Sequence, residues 1–190
     1  LHYLDLSPQF HSLDSYIKQC IARKGMPVSK LKLEPEIPKN GKIADILTVG
    51  QWVAVQVAKE PISTKGPRLT SELSIAGRNL VLMPFADKVS VSQKIKSPEE
   101  RKRLKRLIES IKPKNYGVIV RTVAEGKKVA VFDSELKELV ERFEMAFKHI
   151  REIEPPKLIL GEIDMSQAKV DRYKEEKKNR KQTVPYSGIS

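Results

Sequence analysis

The sequence predicts an α+β fold, with strands and helices mixed rather than alternating in regular β-α-β units. Three observations carry this. Short segments of alternating apolar residues cluster between Trp52 and Val120. Two stretches, at 97–113 and from Asp133 onward, place apolar residues at the helical period instead. The first 42 residues are rich in proline and turn signals and show one short helix.

Taken in order, "SLDSYIKQCIA" (Ser12–Ala22) spaces Leu13, Ile17, Cys20 and Ile21 as one helical face. Pro27, Pro35, Pro38 and the turn "KNGK" follow. "WVAVQVAK" (Trp52–Lys59) reads as a strand with Val53, Val55 and Val57 on one face. "RLTSELSIA" alternates again, with Leu69, Leu73 and Ile75 together. "NLVLMP" is a short buried strand, and "VSVS" (Val89–Ser92) another. In "SPEERKRLKRLIESIKP", Ser97 is the predicted N-cap, Pro98 fits the first turn and Glu100 completes a capping box. Leu104, Leu107, Ile108 and Ile111 are its buried stripe, and Pro113 ends it. "GVIV" (Gly117–Val120) is a buried strand, followed by the turn "AEGKK" and "VAVF". Asp133 or Ser134 then caps a long helix with Leu136, Leu139, Val140, Phe143, Phe147 and Ile150 inward. "KLIL" after Pro155-Pro156 is a further strand candidate, and Asp171–Lys181 is almost wholly charge and amide. The main α+β domain spans about residues 70–150, preceded by the end of a small β-structure.

Composition narrows the function. The 190 residues carry 36 Lys+Arg against 24 Asp+Glu, a formal charge of +12. Such an excess points to a polyanionic partner, nucleic acid before an anionic membrane, because no long basic helix with aromatic anchors is present. One cysteine, Cys20, excludes an internal disulfide framework and multi-cysteine zinc sites, and fits a reducing cytoplasm. No stretch approaches the ~20 apolar residues of a membrane span. The chain begins at Leu1 without Met, so a segment of something longer is expected.

Catalytic chemistry is sparse. His2, His11 and His149 lie far apart without metal-ligand spacing, and His149 suits a helix C-terminus. Glu162 and Asp164 form a carboxylate pair that reads as structural and not as a metal site. No nucleophile triad, P-loop or dinucleotide fingerprint is present. Arg101, Lys102, Arg103, Lys105 and Arg106 read either as a solvated helix face or as a phosphate-facing patch. Arg121 and Thr122 differ, because a guanidinium and a hydroxyl follow directly on a buried strand. They suit a phosphate, with the Arg fork and the Thr hydroxyl as donors. The competing reading pairs Arg121 with an acidic neighbour such as Glu125.

The segments "VQVAKEPISTKGPRLTSELSIAGRNLVLMP", "VSQKI" and "NYGVIVRTVAEG", in this order and spacing over residues 42–150, resemble the ribonuclease E/G family of bacterial endoribonucleases. "LHYLDLSPQF" is similar to the corresponding segment of Bacteroidetes-like members. The resemblance implies a partial OB-type β-barrel over residues 1–71, a mixed α/β 5′-sensor domain over 72–154, and over 155–190 the resumption of a ribonuclease-H-like part with an uncertain basic tail. It implies that Arg121 and Thr122 bind the 5′-monophosphate of an RNA end. Gly77 and Val81 would line the terminal-nucleotide pocket, and Lys65 would touch RNA from the barrel.

Single-stranded RNA with a 5′-monophosphate end is the implied partner, and RNA processing and decay in the cytoplasm the implied setting. Catalytic residues, magnesium and zinc are expected only outside this segment, which is predicted to hold no cofactor of its own. Two departures stand out. Gln93 occupies a position where the family often has Arg, and the barrel's RNA-stacking aromatics would lie before Leu1. The match ends after Asp164. Two other readings remain, a non-catalytic RNA-binding or assembly protein and an interaction scaffold packing against the subunits of a homo-oligomer.

Overall fold

The computed structural model describes residues 1–161, of which Leu1–Ile159 form one compact unit. The fold is α+β, as predicted. Helix α1 spans Phe10–Arg23. Strands β1 (Gln56–Lys59) and β2 (Arg68–Thr70) form a two-stranded antiparallel sheet. Strands β3 (Ile75–Ala76), β4 (Leu80–Pro84), β5 (Val89–Val91) and β6 (Tyr116–Val120) form a second sheet in the order β3-β4-β6-β5. Helix α2 (Pro98–Ile111) connects β5 to β6, which run parallel, whereas β4 and β6 are antiparallel. Helix α3 spans Val129–Lys148. Among the described residues no helix is long and apolar enough to cross a membrane.

Alternation on the central strands divides the four-stranded sheet into two faces. Leu80, Leu82, Tyr116, Val118 and Val120 are fully buried. Val81 and Ile119 stand opposite each other in register on the other face, where Ile119 is 40% exposed. The helices cover the first face. Phe143 of α3 meets the Tyr116 ring edge-on at 6.4 Å. Tyr16 of α1 packs against Phe85, Phe143 and Phe147 with centroids 5.4–6.0 Å apart. Gly117 lies beneath the chain that leads to β5, because a Cβ there would sit 3.0 Å from both the Ala86 Cβ and the Lys88 carbonyl oxygen.

Several elements differ from the expectation. The strand expected from Trp52 is regular only over β1, and Val55 and Val57 are exposed. Within the described residues β1 pairs with β2 alone, so its alternating face finds no core. Only Val53 is used, against a small cluster of Tyr3, Leu6, Phe10 and Ile37. The stretch after Arg68 is interrupted at Ser71, which is buried. Its Oγ accepts the Ser7 N–H at 2.7 Å and its N–H donates to the Asp5 carbonyl at 2.9 Å, so Ser71 joins the N-terminal segment instead of the sheet. "VAVF" is helical: α3 begins at Val129, with Lys128 as a cap residue that makes no side-chain bond. Burial of Phe132, four residues before Leu136, extends the apolar stripe and overrides the β-propensity of the two valines. "KLIL" forms no strand over its described residues, and Leu158 is 80% exposed. The Glu162/Asp164 pair and the charged stretch from Asp171 lie outside the described residues.

Residues before position 71 take part in the core of the following segment. Asn115 is buried in the left-handed region at φ 68°. Its Nδ2 donates to the carbonyls of Val28 at 3.0 Å and Leu31 at 2.7 Å. Glu144 of α3 accepts the Val28 N–H and the Tyr116 hydroxyl, each at 3.0 Å. Burial, and next the Glu144 carboxylate, push the Tyr116 phenol above its usual range, so it remains a donor. Asn115→Ala removes two buried bonds and leaves a left-handed conformation to Ala, which tolerates it less well than Asn. We expect a loss of about 2–4 kcal/mol, read by urea denaturation; stability within a few tenths of wild type would contradict this packing.

Candidate nucleic-acid interface at one end of the sheet

Register brings three loops to one edge. Leu80 at the start of β4 is level with Val120 at the end of β6, and Val120 is level with Val91 at the end of β5. The turn 77–80, the loop after β5 and the loop after β6 therefore meet. Arg78, Lys94, Arg121 and Lys128 are exposed on these loops, giving the edge a cationic rim.

The turn is held from three sides. The Gly77 N–H donates to the Leu80 carbonyl at 2.7 Å and closes it. Asn79 is 3% exposed, and its backbone N–H, carbonyl and side-chain oxygen are all bonded. Its N–H donates to both carboxylate oxygens of Glu135 at 3.0 and 3.2 Å, its carbonyl accepts the Arg121 N–H at 2.8 Å, and its Oδ1 accepts Lys127 Nζ at 2.6 Å. A side chain at position 77 would have to displace Glu135, which holds the Asn79 N–H. A Cβ on Gly77 would stand 2.7 Å from Glu135 Oε1 and 3.1 Å from Leu139 Cδ1.

Arg121 NH1 donates to the Gly77 carbonyl at 2.7 Å. The guanidinium is exposed, and among the described residues it forms no ion pair, with Glu125 or any other carboxylate. One nitrogen is thus anchored while the rest of the fork faces solvent. The Thr122 hydroxyl lies 2.8 Å from the Ser92 hydroxyl. The Ser92 Oγ also accepts the Lys94 N–H at 3.3 Å. Ser92 N–H donates to the Val120 carbonyl at 2.9 Å, which fixes the loop after β5 to the end of β6.

Helix α2 braces both loops. Arg101 donates to the carbonyls of Ser92, Ile95 at 3.1 Å and Val91 at 3.2 Å. Ser97 Oγ accepts the Glu100 N–H at 3.3 Å, as a cap should. The Glu100 carboxylate does not return to Ser97 as a capping box requires. It takes Arg103 Nε at 2.8 Å and NH2 at 2.6 Å, and the Gly126 N–H at 2.8 Å. Arg103 also donates to the Lys127 carbonyl at 3.0 Å. Two of the five cations of this helix therefore fix loops instead of forming a free basic face, while Lys102, Lys105 and Arg106 are exposed.

The structure joins Gly77 to Arg121, holds Thr122 against Ser92, and sets Val81 one residue beyond the turn on the face of the sheet away from the buried one. Lys65 stands on the separate β1–β2 hairpin, where it exchanges backbone bonds with Ile62 at 3.0 and 3.2 Å. Gln93 is exposed beside Ser92. Asn79, Ser92 and Glu135 were not singled out by the sequence. Ser92 and Asn79 lie inside the quoted segments, but nothing local marks them; Glu135 becomes relevant only through a contact 56 residues away. Among the described residues no three His, Cys, Asp or Glu side chains converge.

The model of the Ribonuclease E/G family matches residues 74–182, more than half of the chain. This chain belongs to that family. It is 41% identical over 125 residues to the Ribonuclease E of Nostoc sp., covering 66% of this chain and 18% of that protein. It is 39% identical over 123 residues to a Ribonuclease E/G-like protein of Pyropia yezoensis, covering 65% and 24%. It is 47% identical over 88 residues to the Ribonuclease G of Haemophilus influenzae, covering 46% and 18%. The matched part thus spans less than a quarter of each of these relatives.

Glu100 gives this site a pH signature. The bonds from Arg103, and next the Gly126 N–H, lower its pKa from 4.5 to about 2. The ionised form is therefore favoured in the folded state. Its contribution to stability is complete above about pH 4.5 and fades as pH falls toward 2. Melting temperature followed between pH 6 and 2 should drop less steeply for Glu100→Gln than for wild type; parallel profiles would show that the carboxylate is not held this way.

Proposed function

We propose that this chain is the RNA-binding, 5′-monophosphate-sensing part of a single-strand-specific endoribonuclease that acts in RNA processing and decay in the cytoplasm. The observation that carries the reading is the guanidinium of Arg121. It has one nitrogen held by the Gly77 carbonyl and no carboxylate partner among the described residues, and the next residue along the chain, Thr122, carries a hydroxyl. Membership of the ribonuclease E/G family and the charge of +12 support an RNA partner.

A terminal phosphate carries nearly two negative charges and three acceptor oxygens, which suit a planar donor fork and a hydroxyl. Val81, with Ile119 across from it in register and Gly77 above, offers the first base an apolar seat. Lys65 on the hairpin contacts the RNA backbone further along. Cleavage, with its metal requirement, belongs to other parts of the parent enzyme, and this part selects the substrate end. A 5′-hydroxyl leaves the donors without a partner.

Short single-stranded RNAs that differ only in a 5′-monophosphate, hydroxyl or triphosphate, titrated by fluorescence anisotropy, test the proposal. The monophosphate should bind best. Arg121→Ala should erase the preference over hydroxyl, a loss of about ten- to a hundredfold for the charged bonds. Thr122→Val should weaken it less. Equal affinity of the wild-type chain for all three ends would overturn the reading.

A further inference from the structure

We infer that Ser92 is a positioning residue that turns the Thr122 hydroxyl into an outward donor for an anionic phosphoryl oxygen. The inference rests on the reading of Arg121 and Thr122 as a phosphate site and assigns a new residue to it. The two hydroxyls are 2.8 Å apart, and distance alone leaves open which one donates. The proton between them is assigned to Ser92. The Lys94 N–H points to Ser92 Oγ, so that oxygen already accepts a bond from the loop backbone. With one of its two lone pairs so occupied, Ser92 is assigned as the donor to Thr122 Oγ1. A hydroxyl has one proton and two acceptor lone pairs. With Thr122 Oγ1 accepting from Ser92, the Thr122 proton is released from that contact and rotates toward whatever lies outside. Among the described residues Thr122 Oγ1 has no second hydrogen-bond partner.

The result is a directed chain, from Lys94 N–H to Ser92 Oγ–H to Thr122 Oγ1–H to the ligand. Each donor in such a chain polarises the next and strengthens it as a donor. The polarity matches an anion and opposes a cation. Ser92 is itself held where it acts. Its N–H is bonded to the Val120 carbonyl and its carbonyl accepts Arg101, so the loop cannot swing away without breaking bonds on both sides. No atom of Ser92 touches the ligand, and its influence passes entirely through Thr122.

The test uses the 190-residue chain, the 5′-monophosphate and 5′-hydroxyl RNAs, and the variants Ser92→Ala, Ser92→Thr, Thr122→Val and Ser92→Ala/Thr122→Val. Ser92→Ala should reduce the preference for monophosphate about three- to tenfold, the scale of one hydrogen bond. Ser92→Thr, which keeps the hydroxyl, should restore it. Ser92→Ala should add nothing once Thr122 is Val, because the chain is already cut. Three outcomes overturn the inference: full preference in Ser92→Ala, no rescue by Thr, or independent losses in the double variant. Failure of the underlying phosphate reading looks different, since the wild-type chain itself then shows no preference.

Discussion

Asn79 cannot be buried without partners for its backbone and side-chain polar groups, and the arrangement of the whole sheet edge follows from where those partners come from. Its N–H is taken by Glu135 of α3, its carbonyl by the backbone of Arg121, and its side-chain oxygen by Lys127. Leaving any one unsatisfied in the interior would cost about 1–3 kcal/mol. The turn 77–80 is thereby fixed against a helix and against the loop after β6 at once. The Gly77 carbonyl then stands where Arg121 NH1 reaches it, so the cation is oriented before any ligand arrives. Ordering a long side chain in advance lowers the entropy lost on binding.

The same logic extends to the other two loops. Arg101 gathers three carbonyls from the end of β5 onward, and the Glu100–Arg103 pair holds the 126–127 backbone. Cations that a solvated helix would spend on water are used as fasteners here. Beneath them the aromatic cluster of Tyr16, Phe85, Tyr116, Phe143 and Phe147 ties α1 and α3 to the sheet. A rigid floor with polar loops on its rim is a common way to place binding groups accurately.

Strong periodic signals were readable from the residues. The stripe through Leu104 and Ile108, the stripe from Leu136 to Phe147, and the alternation of "LVLMP" and "GVIV" all correspond to observed elements. Where burial did not follow pattern, the reading failed. Val55 and Val57 alternate correctly but face no core, and Phe132 draws a β-branched stretch into α3. The prominence of Arg121 and Thr122 was legible because charge after a buried strand is unusual. Asn79, Glu135 and Ser92 were not, because their importance lies in contacts between distant segments and not in their neighbours along the chain. Glu100 shows both sides. Its place in the first turn was predicted, and its partners were not.

The central claim is that an RNA 5′ phosphate is received at this edge of the sheet, by groups already in place. Backbone amide shifts of the isotopically labelled chain, followed by NMR while a 5′-phosphorylated dinucleotide is added, address it most directly. Large shifts confined to Gly77–Val81, Ser92–Lys94 and Arg121–Val123, absent with the 5′-hydroxyl dinucleotide, are the predicted result. Shifts spread instead over the exposed cations of α2 and the β1–β2 hairpin, and equal for both dinucleotides, would contradict it.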